Sequence, residues 1–318
     1  MSVYTTISEA QLDAWLRAYS VGQLVALEPI AKGIENSNFF VTTTQGRYVL
    51  TLFERLPARA LPYYLNLMSH LARHGIPCPA PIADLSERFL SELNGKPAAL
   101  VTRLPGTSIE VPAPAHCAAL GSLLARMHHA GQSYGAVLEN PRGPKWWRAT
   151  APELRPYLDQ ARSKLLDEEL RFQALSRFPG LPRGPVHADL FRDNALFEDG
   201  ALSGVIDFYF AGVDCFLYDC AVCANDWCLI DPAQDRRLDA TKTLALLEAY
   251  AAVRPFTAIE RGAWPVLLRA AALRFWLSRL RDLYLPRPGA LVHAHDPEHF
   301  RAILELRAAE TSACWPIA

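Results

Sequence analysis

Val186-His187-Ala188-Asp189-Leu190-Phe191-Arg192-Asp193-Asn194-Ala195-Leu196-Phe197 is the stretch that decides how this chain is read. An aspartate is followed five residues later by an asparagine, and the apolar run that comes next has strand character. Thirteen residues past Asn194 comes Val205-Ile206-Asp207-Phe208, a second aspartate at a strand end, bounded by Gly204 and Gly212. Asp and Asn favour turns in any protein, so one such pair alone would read as a solvated loop. The full string, with strands on both sides, is much harder to obtain by chance.

The set has a chemical logic. Phosphoryl transfer asks a protein for a carboxylate at the attacking hydroxyl and for oxygen ligands that hold Mg²⁺ on the phosphates. Mg²⁺ takes oxygen donors and keeps several waters, which suits Asp207 with help from Asn194. Asp189 is left to position a hydroxyl and accept its proton. His187 belongs to the same catalytic cluster, but two residues away along an extended chain it points elsewhere and is read as organising the loop. Arg192, inside the loop, is the cation best placed to touch phosphate or substrate.

Upstream the pattern is strand-rich. Ser8 with Gln11 forms a capping box that opens a helix over 8–19. Strands are expected over 24–30, 38–44 and 48–53, the last two joined by the turn Gln45-Gly46, with a further apolar strand over 98–103. A helix over 61–74 stops at Gly75, before a proline-rich breaker. Leu104-Pro105-Gly106-Thr107 reads as a linker. Beyond it helices are expected over 116–130, 152–178, 241–252, 261–284 and 297–310. The chain is therefore read as α+β and bilobal, with a small antiparallel-sheet lobe over 1–103 and a larger, mostly helical lobe over 104–318.

Composition narrows the partners. The 318 residues are 51% apolar and carry a formal net charge of -1, without a run of Lys or Arg. That excludes an electrostatic footprint for nucleic acid or an anionic membrane. The N-terminus lacks the pattern of a secretion signal and no stretch is apolar enough to span a bilayer, so the chain is expected to be cytoplasmic. Cys215, Cys220, Cys223 and Cys228 match in part the spacing of iron–sulfur ligands. They fall on an apolar, glycine-free segment, which favours the reading as helix core.

At these motifs the chain resembles the aminoglycoside-phosphotransferase and choline-kinase-like superfamily, small-molecule kinases with a protein-kinase-like fold, and the resemblance spans nearly all of the chain. Gly33-Ile34-Glu35-Asn36-Ser37-Asn38-Phe39 matches the phosphate loop, Leu104-Pro105-Gly106 the segment after the hinge, and Leu120-Gly121 through Met127-His128 the first helix of the large lobe. Tyr48-Val49-Leu50-Thr51-Leu52-Phe53-Glu54 and the segment Arg274 to Asp282, continuing into Leu285-Pro286-Arg287-Pro288-Gly289, look like the homoserine kinases of this fold. The resemblance implies ATP and Mg²⁺ as cofactors, and phosphorylation of the side-chain hydroxyl of L-homoserine on the way to threonine. It also implies that Asp219 braces the catalytic loop. A choline, hydroxylysine or aminoglycoside kinase and a catalytically silent binding module are the alternatives.

The nucleotide side implied by the resemblance comprises Gly33, Asn36, Ser37 and Asn38, then Thr51, with the adenine near Thr102 and Leu104. Thr51 stands where such kinases usually carry a lysine, so phosphate neutralisation passes to other cations, with Lys32, Arg47 and Arg55 in reach by sequence. An amino-acid acceptor needs a cation for its carboxylate and an anion for its ammonium. Arg274, Arg279 and Arg281 against Asp226 and Asp282 are the charged candidates. Tyr209 and Trp227 are candidate walls of the acceptor site, with helix core as the competing reading for each Trp.

Overall fold

The computed structural model describes residues 5–30, 36–286, 295–310 and 315–317. The chain divides between Pro105 and Gly106 into two compact units; the expected boundary lay after Arg103.

In the first unit, helix α1 (Glu9–Leu16) opens on the expected capping box, with Ser8 and Gln11 each satisfying the other's backbone amide. Strands β1 (Leu24–Pro29), β2 (Ser37–Thr43) and β3 (Gly46–Leu52) follow, then helix α2 (Leu61–Arg73) and the hairpin of β4 (Ser91–Leu93) and β5 (Lys96–Thr102). They build one five-stranded antiparallel sheet in the order β1-β2-β3-β5-β4. Alternation along β2 buries Phe39 and Val41 with Leu50, Leu52, Leu100 and the α1 residues Leu12 and Leu16. Strand β4 was not read from the sequence. Its signal was the Asn94-Gly95 turn, in which both residues take positive φ, 51° and 72°, the geometry of a tight hairpin.

The second unit runs through α3 (Pro114–Gly131), α4 (Pro144–Leu154), α5 (Gln160–Leu175), β6 (Arg183–Val186), β7 (Ala195–Glu198), β8 (Ala201–Val205), β9 (Gly212–Cys215), α6 (Phe216–Trp227), β10 (Leu229–Asp231), β11 (Asp235–Leu238), α7 (Ala240–Val253), α8 (Ala258–Tyr284) and α9 (Glu298–Ala309). The single helix expected over 152–178 is two helices. Pro156 brings no N–H to the ladder, and Asp159 caps the new start of α5 by accepting from the Arg162 amide at 2.8 Å.

All twelve residues of α6 are buried, and α8 packs beside it. Helices α3 and α7 lie so close that a Cβ on Gly121 would overlap the backbone of Leu246. The cysteine segment is α6 and its two ends. Cys215, Cys220, Cys223 and Cys228 are buried thiols, and burial pushes the Cys220 and Cys223 thiols up. Among the described residues no three His, Cys, Asp or Glu side chains converge to hold a metal ion. None of their helices is long and apolar enough to cross a membrane.

Candidate active site

Two short ladders bring the decisive segments together. Strand β6 pairs with β9, and β7 with β8, both antiparallel. The loop 187–194 therefore leaves β6 and enters β7, while 206–211 leaves β8 and enters β9. They meet where the Ile206 amide donates to the Asn194 carbonyl at 2.9 Å. A sequence separation of thirteen residues thus becomes adjacency.

The loop is held in a conformation its residues would not choose. Ala188 has φ 64°, in the left-handed region that costs a non-glycine residue about 1–2 kcal/mol. Asp219 on α6 compensates: its carboxylate accepts from the His187 amide at 2.7 Å and from the Ala188 amide at 2.6 Å. It also accepts from His128 Nε2 at 3.0 Å, while His128 Nδ1 accepts from the Tyr250 hydroxyl at 2.8 Å. Burial holds the His128 imidazole below its ordinary range against the pull of Asp219, so a neutral ring donates on one side and accepts on the other. Asp219 and His128 are both fully buried.

His187 is a positioning residue. Its Nε2 donates to the Ile206 carbonyl at 2.9 Å, its ring packs on Phe208 at 4.6 Å between centroids, and its Nδ1 is buried without a partner. Burial keeps it neutral, with its pKa below the usual value. It fixes the backbone just before Asp207, which itself sits at φ 64°, ψ 63° and is exposed.

Asp189, Asn194 and Asp207 lie along this junction. Asn194 Nδ2 donates to the Asp189 carbonyl at 2.8 Å, which leaves the amide oxygen turned the other way. Asp189 Oδ1 pairs with Arg274 Nη1 of α8 at 3.1 Å, the arginine being only 3% exposed and Asp189 16%. Arg274 also lies 3.7 Å above the Phe275 ring and 5.1 Å from that of Phe210.

Several expectations change on contact with this geometry. Arg274, read as a carboxylate clamp, is already committed to Asp189. Arg192 and Asp226, read as separate contacts to phosphate or substrate, bind each other: Nε and Nη2 of the arginine reach the two carboxylate oxygens at 3.1 and 3.2 Å, and its amide adds a third bond at 2.9 Å. The one-turn helix Arg192–Asn194 aims that side chain back at α6. Trp227 is fully buried, with Nε1 donating to the Leu190 carbonyl at 3.1 Å beneath the loop, so it supports the loop from the core and does not wall a pocket. Tyr209 is half-buried in the turn Phe208–Phe210. Arg281 faces Glu153 at 3.8 Å.

In the first unit, strand register pairs Asn38 with Thr51, and the Thr51 hydroxyl donates to Asn38 Oδ1 at 2.9 Å. Ser37 is fully buried because it shares the inward face of β2; its hydroxyl donates to Glu54 at 2.7 Å and accepts from the Thr5 amide at 3.0 Å. The same Glu54 pairs with Lys96 at 3.1 Å. Asn36 is buried, with its Oδ1 unpartnered. Around the expected adenine position, the Thr102 amide goes to Ala80 and the Arg103 amide to Arg47, while Leu104 is half-buried just past β5. Gly33, Lys32 and the segment 287–289 lie outside the described residues. The reading from sequence did not give a role to the His128–Tyr250 bond. Its only signal was Met127-His128 at the end of a helix pattern.

Comparisons with known proteins agree with this geometry. A family model described as "Phosphotransferase enzyme family" matches residues 26–256. The chain is 53% identical over 305 residues to a homoserine kinase of Methylobacillus flagellatus, covering 96% of this chain and 95% of that one. It is 50% identical to a homoserine kinase of Polaromonas naphthalenivorans, covering 97% and 98%. Among solved structures, an amicoumacin kinase in complex with AMP-PNP and Ca²⁺ superposes with a TM-score of 0.68 at 16% identity, over 96% of this chain and 93% of that one. A spectinomycin phosphotransferase in complex with ADP gives 0.69 at 12% identity, over 96% and 99%. At such identities these two speak for the kinase-like fold alone. The family match across most of the sequence and the half-identity to homoserine kinases over nearly their whole length place the chain: it belongs to the phosphotransferase enzyme family.

Proposed function

We propose that the protein transfers the γ-phosphoryl group of ATP to the side-chain hydroxyl of L-homoserine, giving O-phospho-L-homoserine and ADP, a step in threonine biosynthesis. The observation that carries the acceptor is the identity to homoserine kinases over nearly the whole chain. The chemistry is supported by the arrangement around Asp189.

Asp189 is the base. Arg274 occupies its Oδ1, which orients the carboxylate and leaves Oδ2 to accept the acceptor's O–H. As the hydroxyl oxygen bonds to the γ-phosphorus and the bond to the ADP oxygen breaks, the proton passes to Asp189. General-base assistance of this kind contributes about 10²–10⁴ in rate.

Asp207 and Asn194 fit a magnesium ion by donor chemistry: an exposed carboxylate and an amide oxygen, both hard donors, held on backbone that His187 and the Ile206–Asn194 bond fix in place. Such an ion would supply positive charge to neutralise the phosphates of ATP. In the first unit, Leu104 keeps its backbone amide for the adenine, since those of Thr102 and Arg103 are used. Asn36, at the opposite end of the sheet beside the start of β2, has a buried oxygen to offer on the phosphate side. Asn38 and Thr51, bonded to each other, and Ser37, bonded to Glu54, shape the phosphate side from behind.

The test is ADP release by purified protein with Mg-ATP and a panel of L-homoserine, L-serine, choline, hydroxylysine and kanamycin. Turnover is expected with L-homoserine above all others. Turnover confined to an acceptor that is not an amino acid would sink the assignment.

A further inference from the structure

Helix α8 reaches the catalytic loop twice. Arg274, past its middle, pairs with Asp189 at 3.1 Å. Its first turn reaches the same loop by a longer route, through side chains of α7, α3 and α6. Glu260 is fully buried in that turn, where its Oε2 accepts from the Thr257 amide and hydroxyl, each at 2.9 Å. Its Oε1 accepts from Nη1 of Arg254, the residue that ends α7, at 2.9 Å. The same Nη1 donates to the Tyr250 hydroxyl at 3.4 Å, and that hydroxyl donates to His128 Nδ1 at 2.8 Å. His128 Nε2 then donates to Asp219, which holds the His187 and Ala188 amides.

Chemistry sets the direction of each bond in this relay. A guanidinium can only donate, so toward Arg254 the Tyr250 oxygen is an acceptor and its proton is left for His128. Burial pushes the Tyr250 hydroxyl up, which keeps that proton on the phenol. His128 Nδ1 must then accept, so the one proton of the neutral ring sits on Nε2, facing Asp219. Hydrogen bonds that all run one way polarise each other. The relay passes from a cation to a carboxylate with an imidazole between them.

Packing holds its members in line. His128 stacks on Phe216 at 4.6 Å, and the Arg254 guanidinium lies 4.8 Å from the centroid of the same ring. Tyr250 stacks on Phe256 at 4.8 Å, and both Tyr250 and His128 are fully buried. A buried Nδ1 deprived of its donor costs about 1–3 kcal/mol, and the ring loses the bond that keeps Nε2 aimed at Asp219. What Asp219 holds is the strained Ala188, and Asp189 is the next residue. A displacement of about 1 Å at a reacting group can cost about 10²-fold in rate.

We propose that Tyr250 and Arg254 are positioning residues for the phosphoryl transfer: together they fix the tautomer and orientation of His128, and through His128 and Asp219 they set the aim of Asp189. This rests on the reading of Asp189 as the base and not on the identity of the acceptor.

The experiment is steady-state kinetics with Mg-ATP and L-homoserine, or whichever acceptor of the panel turns over, well below the unfolding midpoint of each protein. It compares wild type with Tyr250→Phe, His128→Gln, His128→Leu, and Tyr250→Phe combined with His128→Leu. Tyr250→Phe should lower kcat about 10-fold and leave both KM values within about 3-fold of wild type. His128→Gln keeps a donor and an acceptor, so it should retain more of kcat than His128→Leu. In the His128→Leu background, where the relay is already cut, Tyr250→Phe should bring no further fall. Nitrogen-15 NMR of the imidazole, assigned by the signal lost in His128→Gln, should place the proton on Nε2 and show a displaced Nδ1 signal in Tyr250→Phe. A kcat for Tyr250→Phe within about twofold of wild type, or the same fall in both backgrounds, overturns the proposal. Asp189→Asn run in parallel separates the two readings, since a large fall there leaves the base standing when the relay fails. Should Tyr250→Phe not fold, a His128→Gln no more active than His128→Leu overturns the proposal by itself.

Discussion

Asp219 and Asp189 are carboxylates serving the same loop, and their surroundings differ in one respect that decides what each can do. Asp219 is buried and surrounded by donors: two backbone amides and His128. Asp189 has one oxygen on Arg274 and keeps partial access to solvent. A carboxylate enclosed in the interior by three N–H donors holds those donors in place and acts as a bracket. A carboxylate fixed at one oxygen is oriented, and still able to accept.

The sharpest way to break this contrast is to replace each in turn. Asp189→Asn should lower kcat about 10³-fold with an unfolding midpoint close to that of wild type. Activity within tenfold of wild type would remove Asp189 from the role of base. Asp219→Ala should instead cost about 3 kcal/mol or more of stability by denaturant unfolding, because two backbone amides and His128 lose their acceptor in the interior. A loss under about 1 kcal/mol would show that the bracket is dispensable.

A smaller effect concerns pH. Burial depresses the pKa of both His128 and His187 below their ordinary value of 6.5. Below pH 6.5 the unfolded chain then binds more protons than the folded one, so their contribution is complete above that value and declines as the pH falls through it. Asp214 and Asp193, raised by burial, act with the opposite sign, so the informative quantity is a difference. Replacing His187 by Gln should flatten the fall in stability between pH 6.5 and 5 relative to wild type. Identical slopes would refute a neutral buried His187. Smallest of all, Thr51→Val removes the hydroxyl that satisfies Asn38 and should cost about 1 kcal/mol by thermal melting, without the large loss of turnover expected at Asp189.

Much of this was legible in the chain. The spacing of Asp189, Asn194 and Asp207, the Ser8 capping box and the alternation of β2 are local patterns, and local patterns survive in a string of letters. Pairings are not. Arg192 and Asp226 looked like two ligand contacts because a sequence shows charges without showing which ones meet. Arg274 looked available for the same reason. Trp227 had helical spacing suited equally to core or pocket, and only the Leu190 carbonyl above it resolved which. The break before α5 could have been read from Pro156 and Asp159, both of which were in plain view.

The hairpin of β7 and β8 has the form of a tuning fork. Asn194 and Asp207 stand at the tips of its two prongs, and the stem is gripped by Thr107, which exchanges backbone hydrogen bonds with Phe197 in both directions. Thr107 therefore ties the chain at the start of the second unit to the hairpin that carries both residues. If Asn194 and Asp207 hold the metal ion as proposed, one short ladder sets the interval between the two donors, and a change in that ladder would reach both of them.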